Sequence, residues 1–200
     1  MPSPNRVLEA VASCTAVSEL AGRLPTPGQR ATLGGAFGSL APAVVAALHR
    51  ARPDKVFVCV AETPLGAAAA QADLEMLLER EGESHLYPQK EALPYEEAEP
   101  HLEIGGLRVE AVEALLSGRV RIIVTTPRAL QERVPVPARL AELRQTFRVG
   151  DTVAFASLPG TLEARGFERV SLVEEVGQFA VRGGILDVFS VAAGDPVRLE

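Results

Sequence analysis

Three glycines, Gly34, Gly35 and Gly38, stand directly ahead of an apolar run at residues 40–48. A glycine-rich turn that enters a helix can cradle a phosphate chain. Backbone N–H groups hold the oxygens, a lysine neutralises them and a hydroxyl binds magnesium, which requires the spacing G-x-x-x-x-G-K-[ST]. After Ser39 this chain continues Leu40, Ala41, Pro42, so the lysine and the magnesium hydroxyl are both missing. Pro42 also removes one N–H donor. Gly35, Gly38, Ala41 and Pro42 therefore read as a degenerate nucleotide loop, a glycine turn leading into a core helix.

Other reactive side chains are no better placed. Glu96, Glu97, Glu99 and Glu103 crowd around His101, but in a Pro-rich stretch with no nucleophile nearby, where a solvated surface is the expected role. No G-x-S-x-G elbow occurs, and no Cys/His pairing of recognisable spacing. Cys14 and Cys59 are far apart, and His49, His85 and His101 are scattered, which excludes a thiolate zinc site and a disulfide framework. No catalytic or metal-ligating residue is assigned, and no cofactor is expected in these residues. The formal charge of −6 argues against a dedicated duplex binder, although seven arginines against two glutamates lie between residues 119 and 148. With 47% hydrophobic residues the chain has ample core material, yet no run approaches the ~20 apolar residues of a membrane span. There is no secretory leader pattern, so a cytoplasmic protein is expected.

The elements around these residues alternate. Residues 6–24 have near-helical apolar spacing and predict one or two amphipathic helices. A helix is expected from about Pro42, with His49 and Arg50 suited to its C-terminal end. Residues 55–62 and 119–127 are β-branched runs of the kind found in buried parallel strands. Between them lie a helix capped by Thr63 with Pro64 behind it, its apolar face at Ala68, Ala72, Leu74, Leu77 and Leu78, and a short strand at 84–89. A loop through residue 106 follows, then a helix from 107 to Gly118 with Val109, Val112, Leu115 and Leu116 on one side. This alternation predicts an α/β fold, a P-loop-like parallel sheet with helices on both faces.

After Pro127 the style changes. A Val-Pro-Val-Pro stretch is followed by short strands and tight glycine turns at 147–153, then a short helix in 158–167, then the same style from 168 to 191. The expected domains are 1–127, the degenerate nucleotide-type fold, and 128–200, a small α+β domain. Residues 196–200 look like a strand without a ladder partner, so the second domain is expected to be truncated and the chain to be the start of a longer protein.

Residues 166–189 carry the most specific pattern: Gly166, Phe167, Arg169, Val170; then Val173, Glu175, Gly177, Phe179, Ala180, Arg182, Gly183; then Ile185, Leu186, Asp187, Phe189. In this order they resemble the amino-terminal UvrB-like module of bacterial transcription-repair coupling factors (Mfd). A weaker likeness runs upstream from about residue 20, including Thr126, Pro127, Arg128, Ala129 and Leu130. The excision-repair protein UvrB shares the module but keeps the P-loop lysine and threonine where Ala41 and Pro42 stand, and an arginine where Ala180 stands. Both departures favour the coupling factor.

The resemblance implies a binding module rather than an enzyme. Its second domain would dock UvrA in nucleotide-excision repair, with Arg169 and Arg182 contacting carboxylates and Phe189 as a companion, although Phe179 and Phe189 also suit a core. Guanidinium forks fit such contacts. Gly183 and Gly184 are expected to allow a bulge or a close approach that aims Arg182 outwards. The parent protein would be a DNA translocase using ATP and Mg in motor domains, acting on RNA polymerase and double-stranded DNA. A UvrB-like ATPase or helicase fragment is the alternative, and direct DNA binding through the 119–148 arginines a third reading.

Overall fold

A computed structural model describes residues 3–79, 82–90, 102–134, 137–138, 142, 145–190 and 195–200. The acidic cluster from Glu96 to His101 lies outside them, as do Arg139 and Arg144. Two compact units result, one of residues 1–89 with 110–132, the other of 90–109 with 133–200.

The first unit is built on a parallel sheet in the order β1(Phe57–Val60), β3(Ile122–Thr125), β2(Ser84–Tyr87). The central strand is β3, and all four of its residues are buried. Removing Ile122 or Val124 from water is worth ~1.5–3 kcal/mol each. One face is covered by α1(Pro4–Ser13), α3(Leu40–Ala51) and α4(Pro64–Leu78), through Leu8, Ala43, Ala46, Leu74 and Leu77 against Ile122 and Val124. On the other face Ala111 and Ala114 of α5(Leu102–Leu116) and Ala129 of α6(Pro127–Gln131) pack on Ile123 and Tyr87. Helices on both faces of a parallel sheet are the architecture the alternation predicts. The N-terminal stretch forms two helices, since Cys14 takes extended geometry between α1 and α2(Thr15–Gly22).

Some local details differ from expectation. The capping of α4 holds, with the Thr63 side chain accepting from Gly66 N at 3.1 Å. Its buried face, however, is Ala67, Ala70, Leu74, Leu77 and Leu78, while Ala68 and Ala72 are exposed. An alanine run carries no amphipathic signal, so Leu74 and Leu77 set the phase. In α5 the small Ala111 and Ala114 face the sheet and Leu116 is exposed, because alanines let helix and sheet approach closely. That helix begins at Leu102 and runs through Gly105 and Gly106, at a cost of ~1 kcal/mol per glycine. Strand β1 lies at the sheet edge, so Val56, Val58 and Val60 are exposed rather than buried.

The second unit holds α7(Leu158–Ala164) and a sheet in the order β4(Glu168–Arg169), β5(Gln178–Arg182), β6(Ile185–Val188), β7(Val197–Leu199). Phe179 and Leu186 are fully buried against Leu158, with Phe147, Phe155, Phe167 and Val188 around them. Residues 147–153 form no strand. Gly150 turns the chain at φ 93°, and Arg148 and Asp151 close the turn on each other, Arg148 N donating to Asp151 Oδ2 at 2.8 Å and Asp151 N to Arg148 O at 3.0 Å. Nor does β7 lack a ladder partner, because it pairs antiparallel with β6 from Val188↔Val197 to Leu186↔Leu199.

Candidate partner-binding face

The glycine turn has the backbone of a turn and the side chains of a surface. Gly35 and Gly38 have φ of 78° and 56°, and Ala41 is exposed on the first turn of α3 while Pro42 is buried. A phosphate site needs the first helical amides free. Here Leu40 N donates to Phe37 O at 3.2 Å and Ala41 N to Gly38 O at 3.4 Å. Pro42 has no amide to offer.

The sheet of the second unit presents more. Side chains alternate between its two faces. Phe179 and Val181 of β5, Leu186 and Val188 of β6 and Leu199 of β7 share the apolar face. Gln178, Ala180 and Arg182 then share the opposite face with Ile185, Asp187 and Arg198, in the register Ala180↔Asp187↔Arg198 and Arg182↔Ile185. Phe189 extends this row and is half-buried, its N donating to Gln178 O at 2.9 Å while its O accepts from Gly177 N at 2.8 Å.

The hairpin beneath Arg182 is a two-residue turn, which excludes a bulge there, since Arg182 and Ile185 pair directly. Gly183 takes φ 61° at the first turn position, the left-handed geometry that tight hairpins ask of glycine. Before β5, the Gln178 side chain accepts from the amides of Glu174 and Glu175, both at 3.0 Å, and orders the approach to the strand.

The Arg182 side chain is exposed and, among the described residues, has no hydrogen-bond or ion-pair partner. Asp187 is held by Arg198, whose Nε donates to Oδ1 at 2.7 Å and Nη2 to Oδ2 at 2.9 Å. These hydrogen bonds hold the Asp187 carboxyl below the usual carboxylate range, and the charges of Arg198 and Arg182 add to them. The face thus has two guanidinium groups and the Asp187 carboxylate, with the charge of Glu200 also acting on Arg198. Bidentate recognition of a partner's carboxylates is the chemistry it supports.

Arg169 is not part of this face. It pairs in register with Phe179 on the parallel neighbour β4, so alternation puts it on the apolar side, exposed at the sheet edge. Of the three predicted residues the structure puts Arg182 and Phe189 on one face, at opposite ends of the β5–β6 pair, and Arg169 on the other face. Asp187 was named in the sequence only as a position of the motif, with no role, and Arg198 was not named. Their signal was there in the alternation of 185–189 and 197–199, but the pairing of the two strands had to be known first.

Residues 146–200, which include the whole of this sheet, match the UvrB interaction domain family. Over 180 residues the chain is 37% identical to the transcription-repair-coupling factor of Myxococcus xanthus, covering 86% of this chain and 15% of that protein. It is 35% identical over 123 residues to that of Mycobacterium tuberculosis, covering 58% and 10%. With that of Bacillus subtilis it shares 27% over 168 residues, covering 84% and 14%. By sequence the chain belongs with the transcription-repair-coupling factors. It spans 15% or less of the length of these relatives. Within the family's UvrB interaction domain, the face built on Arg182, Asp187, Phe189 and Arg198 is the polar side of the sheet. No helix among the described residues is long and apolar enough to cross a membrane.

Proposed function

We propose that this chain is a protein-binding module whose second unit docks UvrA, so that a coupling factor can recruit UvrA to stalled RNA polymerase in transcription-coupled nucleotide-excision repair. One observation carries the reading. The UvrB interaction domain match falls on a sheet whose polar face carries an exposed, unpaired Arg182 at the hairpin turn and Phe189 at the other end of the same row. Partner carboxylates would take bidentate hydrogen bonds from Arg182, and Phe189 would add apolar contact. Arg169, on the other side of the sheet, would reach a separate part of the partner.

In this reading the chain acts without catalysis and without a nucleotide. Lacking lysine, and with the Leu40 and Ala41 amides already bonded, the turn at 34–42 leaves triphosphate charge uncompensated. ATP and Mg, double-stranded DNA and RNA polymerase would belong to other parts of a full-length coupling factor, and the setting would be the cytoplasm. The test is a binding titration of the chain with purified UvrA. Saturable binding lost on Arg182→Ala is the expected result, and no binding by the wild-type chain would overturn the reading. A UvrB-like ATPase would instead hydrolyse ATP.

A further inference from the structure

Asp187 lies between two arginines. Arg198 is its direct cross-strand neighbour on β7, while Arg182 is the diagonal neighbour on β5, two residues beyond its partner Ala180. Diagonal positions on one face are ~7–8 Å apart, within the reach of a long side chain. Arg182 is also close enough for its charge to act on Asp187. Each carboxylate oxygen already accepts one hydrogen bond from Arg198, and only 16% of the Asp187 side chain is exposed. A second lone pair remains on each oxygen, but little of the group is open to Arg182.

We propose that Arg198 is a positioning residue for Arg182: by holding both oxygens of the mostly covered Asp187 carboxylate it keeps the Arg182 guanidinium unpaired and available to a carboxylate on the docking protein. The proposal rests on the reading of Arg182 as the UvrA anchor. An arginine already paired within its own chain has to break that pair before it can serve a partner, and the loss appears in affinity. Arg198 removes that competition by geometry. Its Nε and Nη2 meet the carboxylate side-on in a planar fork that a lysine cannot reproduce.

The experiment is a suppressor test on the full chain with UvrA. In Arg198→Ala, Arg182 turns onto Asp187 and affinity falls by about tenfold, the scale of one lost charged contact. Adding Asp187→Asn removes the competing carboxylate, and the double variant returns to within about twofold of wild type. If Arg198 touched UvrA itself, the double variant would stay as weak as the single one, which would overturn the proposal. So would wild-type affinity in Arg198→Ala.

Arg198→Lys guards against a folding defect in the alanine variant. It keeps the charge but loses one of the two parallel bonds, and a smaller loss, again reversed by Asp187→Asn, is expected. The Nε–H resonance of Arg182 in NMR spectra reads the same event directly, shifting in the single variants and returning in the doubles. Failure of the wild-type chain to bind UvrA would overturn the underlying reading, and this proposal with it. Normal wild-type binding without the suppression overturns this proposal alone.

Discussion

Arg169 and Arg182 stand on neighbouring strands of one sheet but project from opposite faces. The register Arg169↔Phe179 fixes the first beside a buried phenylalanine, and Arg182 lies three residues further along β5. An odd number of steps along a strand changes face. The two arginines therefore do not form one basic patch, and a partner that uses both has to wrap around the β4 edge.

That geometry makes a quantitative claim. Arg182→Ala should weaken UvrA binding at least about tenfold, which ~1.4 kcal/mol already provides. Arg169→Ala should act independently, with a coupling energy in the double variant below ~0.5 kcal/mol, as for separated sites. Isothermal titration of the two single variants and the double measures it. Strong coupling would mean that both guanidinium groups address one partner group, contrary to the register.

The hairpin that carries Arg182 offers a stability test. A side chain added at Gly183 or at Gly184 meets nothing within 4 Å, so crowding is the same at both. Only Gly183 has a left-handed φ, 61°. Gly183→Ala should cost ~1–2 kcal/mol from backbone strain alone. Gly184→Ala should be neutral or stabilise by up to ~1 kcal/mol through the unfolded chain. Urea denaturation of the two variants separates them. Equal effects would refute the turn geometry.

The parallel sheet was legible because β-branched runs such as Ile122–Thr125 have few other uses, and Thr63-Pro64 is a strong helix start. The covering helices were legible as helices but not in phase, since the alanines at 67–70 look alike from every side. The arginine motif was legible as a list of residues. Which face each one occupies depends on the pairing of β4 with β5 and of β6 with β7, and strand pairing is set by tertiary contacts. Residues 147–153 suited a short strand and a tight glycine turn alike, and the reciprocal hydrogen bonds of Arg148 and Asp151 around Gly150 decide for the turn.

Nucleotide binding is the third test. With Leu40 N and Ala41 N turned onto Phe37 and Gly38 and no lysine in reach, the turn at 34–42 should bind ATP no better than a nonspecific anion. Calorimetry with ATP and Mg, and with pyrophosphate as a control, should show weak heats of similar size that vanish in high salt. Micromolar, adenine-dependent affinity would restore the nucleotide-site reading.

The last test titrates Asp187. Hydrogen bonds from Arg198 come first among the causes that depress its folded-state pKa, with the charges of Arg198 and Arg182 behind them. A carboxyl depressed on folding stabilises the protein above its unfolded pKa, near ~3.9, and that contribution is lost as the pH falls through the folded value. The melting temperature of the wild type should therefore exceed that of Asp187→Asn by a constant margin from neutral pH down to about pH 5, and the margin should close below about pH 4. Other carboxylates titrate in the same range, but they do so in both proteins, so the difference isolates Asp187. Because the Arg198 side chain is 56% exposed, about 1 M salt, which shortens the screening length to ~3 Å, should narrow the margin at neutral pH without abolishing the hydrogen bonds. A margin that stayed flat down to pH 2, or widened with acid, would mean that the Asp187–Arg198 pair is not formed in solution.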